Sequence, residues 1–242
     1  MEKIINELKV WLEGLNDSKL PEFETLPDVN LYMDQIVSYI DTILSPYSRD
    51  EQKLITSFMV NNYVKAKIIE APTLKRYNKN QLSYLIAICL LKQITSMSNM
   101  AVILNKENFQ DENGEFYNHF IKVHNSLKDK IHDSTLISLD KVLKGEKPNP
   151  KGRRKKETDE EIPASVIRKN LVDLSLKLMI ESELNKMVAE RILYELGKET
   201  YNDPKLFEQK HNEVKFDKKK TKFETSRIKK VNIKNEKKST EN

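Results

Sequence analysis

Polar and basic side chains recur on one side of a short helical segment, residues 57–68. On a helical wheel Ser57, Asn61 and Lys65 lie one turn apart each, with Asn62 beside them. An Asn side chain pairs bidentately with adenine, and Ser, Asn and Lys side chains bind phosphate oxygens. Asn and Ser are mediocre helix formers, so helix propensity does not explain their presence. The pattern therefore predicts a helix that binds in a groove of duplex DNA.

A compact basic turn follows this segment. Pro72 is succeeded by Lys75, Arg76 and Tyr77, whose cations could reach the DNA backbone beside a groove. Residues 53–79 contain six Lys or Arg against one acidic residue, so positive charge is concentrated around the predicted helix. The predicted DNA-binding residues are Ser57, Asn61, Asn62, Tyr63, Lys65, Lys75, Arg76 and Tyr77.

The polar side of this segment also has a plainer interpretation, in which it faces only water. Composition alone supports this interpretation as well as DNA binding, because both leave Asn and Lys exposed. A second basic stretch, residues 150–156 (PKGRRKK), lacks the Arg-Gly-Arg-Pro sequence that would make a minor-groove arm specific. We interpret that stretch as a solvated linker.

The elements that must position these side chains are mainly helical. The chain of 242 residues is 38% hydrophobic and 33% charged, which provides a core of modest size for this length. It contains 5 glycines and 8 prolines, whereas β-sandwiches and doubly wound sheets need many more turn residues. The sequence therefore predicts an all-α fold.

Apolar residues at helical spacing locate the helices. Thr56 or Ser57 is placed to cap the segment with the polar side. Asn78 followed by Gln81 is a capping-box pattern, and it begins the most apolar helix of the chain. The predicted helices cover residues 3–16, 31–44, 57–68, 115–144 and 163–197, with two others after Asn78 and after Ser96 or Ser98.

The two long helical segments leave alternatives open. Residues 115–144 form one helix or are interrupted near Ser134. In residues 163–197 the apolar stripe shifts its face, which predicts a stutter or a break near Ser182. The first half of that stripe is either a dimer seam or a face packed on its own domain. It consists of Ile167, Leu171, Leu174 and Leu178.

Residues with catalytic or metal-binding side chains show no usable spacing. Cys89, the single cysteine, lies in an apolar helical run and is predicted to be a small buried hydrophobe. His119, His124 and His132 have no carboxylate or Cys at ligand spacing, so we expect ordinary histidines on helix surfaces. No nucleophile elbow, phosphate-binding loop or paired carboxylates are found. We therefore predict neither an enzyme nor a metal or other cofactor.

The run TSFMVNNYVKAKIIEAPTLKRYNKNQLSYLIAICLLKQITSMSNMAVIL resembles the amino-terminal winged helix of MerR-type regulators. The resemblance is closer to a bacterial family, domain of unknown function eighteen-thirty-six. The pattern of that family is found here in LPDVNLYMDQI, MVNNYVKAKII and KRYNKNQLSYLI, and it covers about residues 26–104. The resemblance implies a MerR-like winged helix-turn-helix that binds DNA.

The resemblance also assigns positions to single residues. Asn61 stands where MerR-type proteins have an arginine, and Tyr63 where they have their second tyrosine. Lys67 replaces a glycine, Lys75 falls near the wing arginine, and Tyr77 matches the tyrosine that closes the wing. The wing is several residues shorter than in MerR-type proteins, and the cysteines of metal-sensing relatives are absent.

These observations together predict a DNA-binding transcriptional regulator, more specifically a repressor. It would bind double-stranded DNA as a homodimer in the cytoplasm, since no membrane span or signal-peptide core is found. The sequence names no small-molecule effector. The second hypothesis is a helical protein–protein adaptor that uses a winged-helix scaffold without DNA binding.

The chain divides into six predicted regions. The winged helix is preceded by a helix with its linker and followed by further helices and a disordered basic tail. The regions are residues 1–25 (helix and linker), 26–108 (winged helix), 109–147 (helical region), 148–162 (basic linker), 163–197 (dimerisation or packing helix) and 198–242 (tail).

Overall fold

A computed structural model describes residues 1–48, 53–105, 113–145 and 162–200. Most of these residues are helical, which confirms the all-α class. The α-helices are α1 (Glu2–Asp17), α2 (Met33–Ile43), α3 (Ser57–Lys65), α4 (Lys79–Leu91), α5 (Met97–Ile103), α6 (Glu115–Leu143) and α7 (Ala164–Thr200). Two short strands, β1 (Leu31–Tyr32) and β2 (Arg76–Tyr77), pair antiparallel. The stretch 150–156 and the tail beyond Thr200 lie outside the described residues.

Helix α4 forms the centre of the larger hydrophobic core. Its N-terminus is fixed by the predicted capping box: Gln81 N donates to Asn78 Oδ1 at 2.9 Å, and Asn78 N donates to Gln81 Oε1 at 2.8 Å. The helix is then apolar on almost every side, as expected for a helix surrounded by protein. Its buried residues pack with α2, α3, α5 and the first turns of α6.

Cys89 lies on α4 and is fully buried, which confirms its predicted place. Burial raises the pKa of its thiol to about 12. A thiol with such a pKa stays protonated near neutral pH, so Cys89 behaves as a small apolar side chain.

A smaller core joins α1, the end of α6 and the start of α7. Ile5 of α1 packs there with Leu139 of α6 and with Ile167 and Leu174 of α7, and Leu171 packs against them. The first half of the α7 stripe is therefore packed on its own chain, which was one of the two predicted alternatives. Leu178, the last member of that stripe, is 41% exposed.

Both long helices are continuous, which excludes a break near Ser182 and leaves the stutter, the other predicted alternative. No Gly or Pro occurs in α7 before Gly197, and nothing else in that stretch forces the backbone out of the helix. In α6 the Ser134 hydroxyl donates to Ile131 O at 3.1 Å, which satisfies it within the helix. Helix α7 also continues past the predicted boundary at residue 197 to Thr200.

In the described ranges no helix is both long enough and apolar enough to cross a membrane.

Candidate nucleic-acid interface

Helix α3 carries the predicted DNA-binding side chains, and its N-terminus is capped as expected. Met59 N donates to the Thr56 hydroxyl at 3.3 Å. The helix ends at Lys65, three residues earlier than predicted, because Lys67 adopts a left-handed conformation with φ 55°. Ile68 N donates to Tyr63 O and Lys67 N to Val64 O, each at 3.0 Å. These two bonds form a Schellman motif, the usual way to close a helix.

Left-handed backbone favours glycine, and the resemblance places Lys67 at the position of a glycine. We expect Lys67→Gly to raise the free energy of unfolding by about 1 kcal/mol, because it relieves this strain. Urea unfolding followed by circular dichroism measures the change. Lys67→Ala is the control, since it removes the same charge and keeps the strained Cβ. A stabilisation of equal size in both variants would assign the effect to charge and contradict the prediction.

The structure exposes most of the polar side of α3. Ser57, Asn61 and Lys65 are exposed and one turn apart each, and Asn62 is half-buried beside them. The amide, hydroxyl and ammonium groups of these side chains thus lie on one face of α3. Such groups can bind base edges and phosphates. We name these four residues the α3 polar face.

Phe58 lies within the α3 polar face, and the sequence prediction did not include it. Its side chain is 70% exposed, and its helical position falls between those of Asn61 and Asn62. An exposed aromatic ring at this place can contact a thymine methyl group or a sugar. The same helical wheel that selected Asn61 places Phe58 on this side, and that position is the signal that could have identified it.

Tyr63 and Tyr77 do not lie on this surface, which corrects their prediction as DNA-binding residues. Tyr63 is 4% exposed and Tyr77 is 2% exposed, and both pack in the larger core. Burial raises the pKa of both phenols. Their large rings hold α3 and β2 against the core, so they position the neighbouring exposed side chains.

The predicted wing is a hairpin with a two-residue turn. Thr73 N donates to Arg76 O at 3.1 Å, and Arg76 N donates to Thr73 O at 2.9 Å. The turn residues Leu74 and Lys75 have φ of 50° and 63°, the left-handed pair of a type I′ turn. Leu74 is 88% exposed and Lys75 is also exposed, so both side chains project from the tip.

Arg76 is exposed but is held by β1. Its guanidinium donates to the Tyr32 hydroxyl at 2.7 Å and lies 4.7 Å from the centre of the Tyr32 ring. This arrangement combines a hydrogen bond with a cation–π contact. Tyr32 and Arg76 are also cross-strand neighbours in the β1–β2 pair. Arg76 therefore braces the wing as well as adding positive charge to it.

A buried glutamine and a half-buried lysine fix the segments on either side of α3. Gln81 Nε2 donates to Glu70 O at 3.0 Å and to Ala71 O at 3.2 Å, between α3 and the wing. Lys92, at the end of α4, donates to Leu54 O before α3, and its burial lowers its pKa. Helix α2 contacts both α3 and β2. The helix and the wing are therefore both anchored to the same core.

An acidic groove marks one limit of the candidate surface. It lies between α2 and the start of α3, has a volume of about 790 Å³, and is lined by Asp34 and Asp41 with Lys53 and Ser57 among others. Carboxylates repel phosphate groups, so this side is unfavourable for DNA. Of the α3 polar face, Ser57 lines this groove, whereas Asn61 and Lys65 do not.

Two of the three histidines are less exposed than predicted. His132 is 8% exposed, with Nδ1 3.0 Å from Asp133 Oδ1 and Nε2 3.2 Å from Glu13 Oε2. Those carboxylates raise the pKa of His132. Burial lowers the pKa of His124. In the described part of the chain no group of three or more His, Cys, Asp or Glu could hold a metal ion.

The chain matches one known family over part of its length. Residues 21–126 match the family described as Domain of unknown function (DUF1836). The match includes α2 to α5, both strands and the first part of α6, and it leaves α1 and α7 outside. No curated protein and no solved structure matches the chain. The predicted resemblance to a domain of unknown function is confirmed for these residues.

Proposed function

We propose that the protein is a DNA-binding transcriptional regulator and acts as a repressor. The observation that carries this proposal is the exposure of Asn61 and Lys65 on one side of a capped helix, with an exposed Lys75 on the hairpin that follows. Within this proposal, residues 26–108 act as a MerR-like winged helix-turn-helix. The bacterial origin implied by the sequence resemblance belongs to the same proposal.

Helix α3 is of a suitable size for the major groove. An α-helix with its side chains is about 10–12 Å across, which matches the major-groove width of about 12 Å. The nine residues of α3 extend about 13 Å at ~1.5 Å per residue, and this length would run along the groove. In this arrangement Asn61 binds an adenine edge and Lys65 a phosphate, while Phe58 contacts a thymine methyl group. Because α3 ends at Lys65, the chain leaves the groove immediately after its last contact.

The wing supplies backbone contacts beside the groove. Lys75, at the turn, binds a flanking phosphate. The guanidinium of Arg76, which is hydrogen-bonded to the Tyr32 hydroxyl, adds positive charge beside it. A single α3 contacts few base pairs, so we expect a homodimer that binds an inverted repeat with half-sites at whole helical turns. With five or six phosphate contacts, the logarithm of affinity should fall with the logarithm of salt concentration at a slope of about −5.

The first test is a titration of labelled DNA from upstream of the protein's own gene, with the full chain. We expect a discrete site, for which Asn61→Ala lowers the affinity roughly tenfold because a bidentate base contact is lost. Binding to unrelated DNA should not change, since Asn61 would not contact phosphate there. Asn118→Ala on α6 is a control for replacing an exposed amide elsewhere.

If Asn61→Ala lowers the affinity for the specific site and for unrelated DNA equally, the assigned role of Asn61 is contradicted. No binding to any DNA by a folded chain would reject the regulator. A bound protein partner recovered without DNA would then favour the helical adaptor, the second function consistent with this scaffold.

A further inference from the structure

The tip of the wing presents a large apolar side chain to solvent. Leu74 is 88% exposed, more than any other large apolar residue in the described ranges of the chain. Single exposed apolar residues are common on protein surfaces and need no explanation by themselves. Leu74 differs from these because it is held at the end of a hairpin, directly before the cation of Lys75.

The backbone of this turn is unfavourable for leucine. Leu74 and Lys75 both have left-handed φ, and two hydrogen bonds between Thr73 and Arg76 close the turn around them. Asn-Gly is a preferred sequence of a type I′ turn, because Asn and Gly adopt left-handed backbone more readily than a bulky side chain does. Strained backbone of this kind is concentrated at functional sites. The leucine side chain is therefore the feature of the turn that a function would explain.

The wing holds Leu74 in place outside the hydrophobic cores. Tyr77 is buried in the larger core and anchors β2 there. Arg76 is fixed by its hydrogen bond to the hydroxyl of Tyr32, its neighbour on β1. Pro72 restricts the backbone just before the turn, because its ring fixes φ. Leu74 is thus presented by a short, braced hairpin.

We propose that Leu74 is an apolar wedge that enters the minor groove of duplex DNA and opens a base step beside the site bound by α3. Proteins that bend DNA frequently insert Phe, Leu, Ile or Met between base pairs from the minor groove, which unstacks the step and kinks the duplex. This role rests on the proposed DNA binding of α3, and it adds bending of the DNA to that function.

The order of the groups on the protein fits the order of the grooves on DNA. One phosphate backbone separates the major groove from the adjacent minor groove, so the chain that leaves α3 meets this backbone first. Lys75 binds a phosphate there, and Leu74, the other residue of the turn, reaches past it. The minor groove is about 6 Å wide, too narrow for a helix but wide enough for one side chain of a two-residue turn.

A wedge of this kind selects DNA by how easily a step is unstacked. Leucine has no hydrogen-bonding group in its side chain, so Leu74 does not recognise base edges directly. Pyrimidine–purine steps such as TA are flexible and easily kinked, whereas A-tracts are stiff. We therefore expect the tightest binding where a TA step flanks the site of α3.

The test uses the full chain and the site found in the DNA upstream of its own gene. Equal fragments of about 150 bp, one persistence length, carry this site either at the middle or near an end, and a bend at the middle slows migration in a gel. We expect the wild type to bend the DNA by at least about 20°. Leu74→Asn should leave the DNA straighter and bind about tenfold more weakly, because burial of the leucine is lost and the cost of unstacking only partly offsets that loss.

Two further variants separate the wedge from the stability of the turn. Asparagine is favoured in type I′ turns, so Leu74→Asn should unfold at a higher urea concentration than the wild type, and its weaker binding cannot then come from a damaged fold. Leu74→Met keeps a long apolar side chain and should retain the bend. Val10→Asn, at a residue of α1 that is 72% exposed, is the matched control and should change neither affinity nor bend.

The base step provides a second readout. Replacing the flanking TA by AA should lower the affinity of the wild type several-fold, because the stiffer step resists opening. The same replacement should leave the affinity of Leu74→Asn unchanged, since that variant no longer opens the step. Such non-additivity links the Leu74 side chain to this step.

Three results would overturn the wedge while leaving DNA binding by α3 in place. The first is a wild type that binds its site without bending it. The second is Leu74→Asn that binds and bends DNA as the wild type does. The third is a loss of affinity in Leu74→Asn with an unchanged bend, because Leu74 would then contact DNA without opening a step. A folded wild type that binds no DNA would instead reject the DNA-binding function, and the wedge with it.

Discussion

Replacing Tyr63 by alanine is expected to lower the free energy of unfolding by about 3–5 kcal/mol. Tyr63 lies on α3, is 4% exposed, and packs in the core. Removal of the ring leaves a cavity that the neighbouring side chains fill only partly, which adds to the lost burial of apolar surface. Phe58→Ala on the same helix should change the free energy by less than about 0.5 kcal/mol, since Phe58 is 70% exposed.

Urea unfolding of the full-length variants, followed by circular dichroism at equal protein concentration, gives both values. Tyr63→Phe separates the ring from its hydroxyl and should retain most of the stability. If Tyr63 were instead a surface contact to DNA, Tyr63→Ala would unfold at the same urea concentration as the wild type. That outcome would return Tyr63 to the candidate DNA-binding residues and contradict the core position.

Local sequence signals predicted the parts of the fold that depend on local contacts. The capping box of Asn78 and Gln81 was readable because both hydrogen bonds form within four residues. Exposure of Asn61 and Lys65 followed from helical spacing, since a helix with one apolar side must turn its polar side outward. The resemblance to a family of unknown function, predicted over about residues 26–104 and matched over residues 21–126, was also visible in short motifs.

Contacts between distant segments of the chain determine the positions of the residues that the sequence prediction misplaced. Tyrosine is amphipathic, so the sequence does not tell a phenol that faces DNA from one packed in a core, and Tyr63 and Tyr77 are packed. The type I′ turn at Leu74 and Lys75 lacks the Asn or Gly that usually signals it. Pairing of β1 with β2, more than 40 positions apart in the sequence, holds this turn in place.

The second large effect concerns the cations of α3 and the wing. We expect Lys65→Gln with Lys75→Gln to lower affinity for any duplex DNA about 30-fold at ~0.15 M salt. Each phosphate contact contributes about 0.9 to the slope of log affinity against log salt concentration. Losing the contacts of both lysines therefore lowers the affinity about 30-fold at ~0.15 M salt. The slope itself should fall in size from about −5 to about −3. Fluorescence anisotropy with labelled DNA at four salt concentrations measures both quantities.

The control for net charge is Lys130→Gln with Lys141→Gln, at two exposed lysines in the half of α6 that packs on α1 and α7. Both double variants lose the same formal charge, so a long-range electrostatic effect would weaken DNA binding equally in the two. A loss of phosphate contacts would weaken DNA binding only in the variant that lacks Lys65 and Lys75.

Because Lys65 lies on the helix and Lys75 on the hairpin, each single variant should change the slope by about 0.9, and the two changes should be additive. If Lys75→Gln alone leaves the slope unchanged, the wing does not contact the backbone, and the DNA-binding surface is reduced to α3.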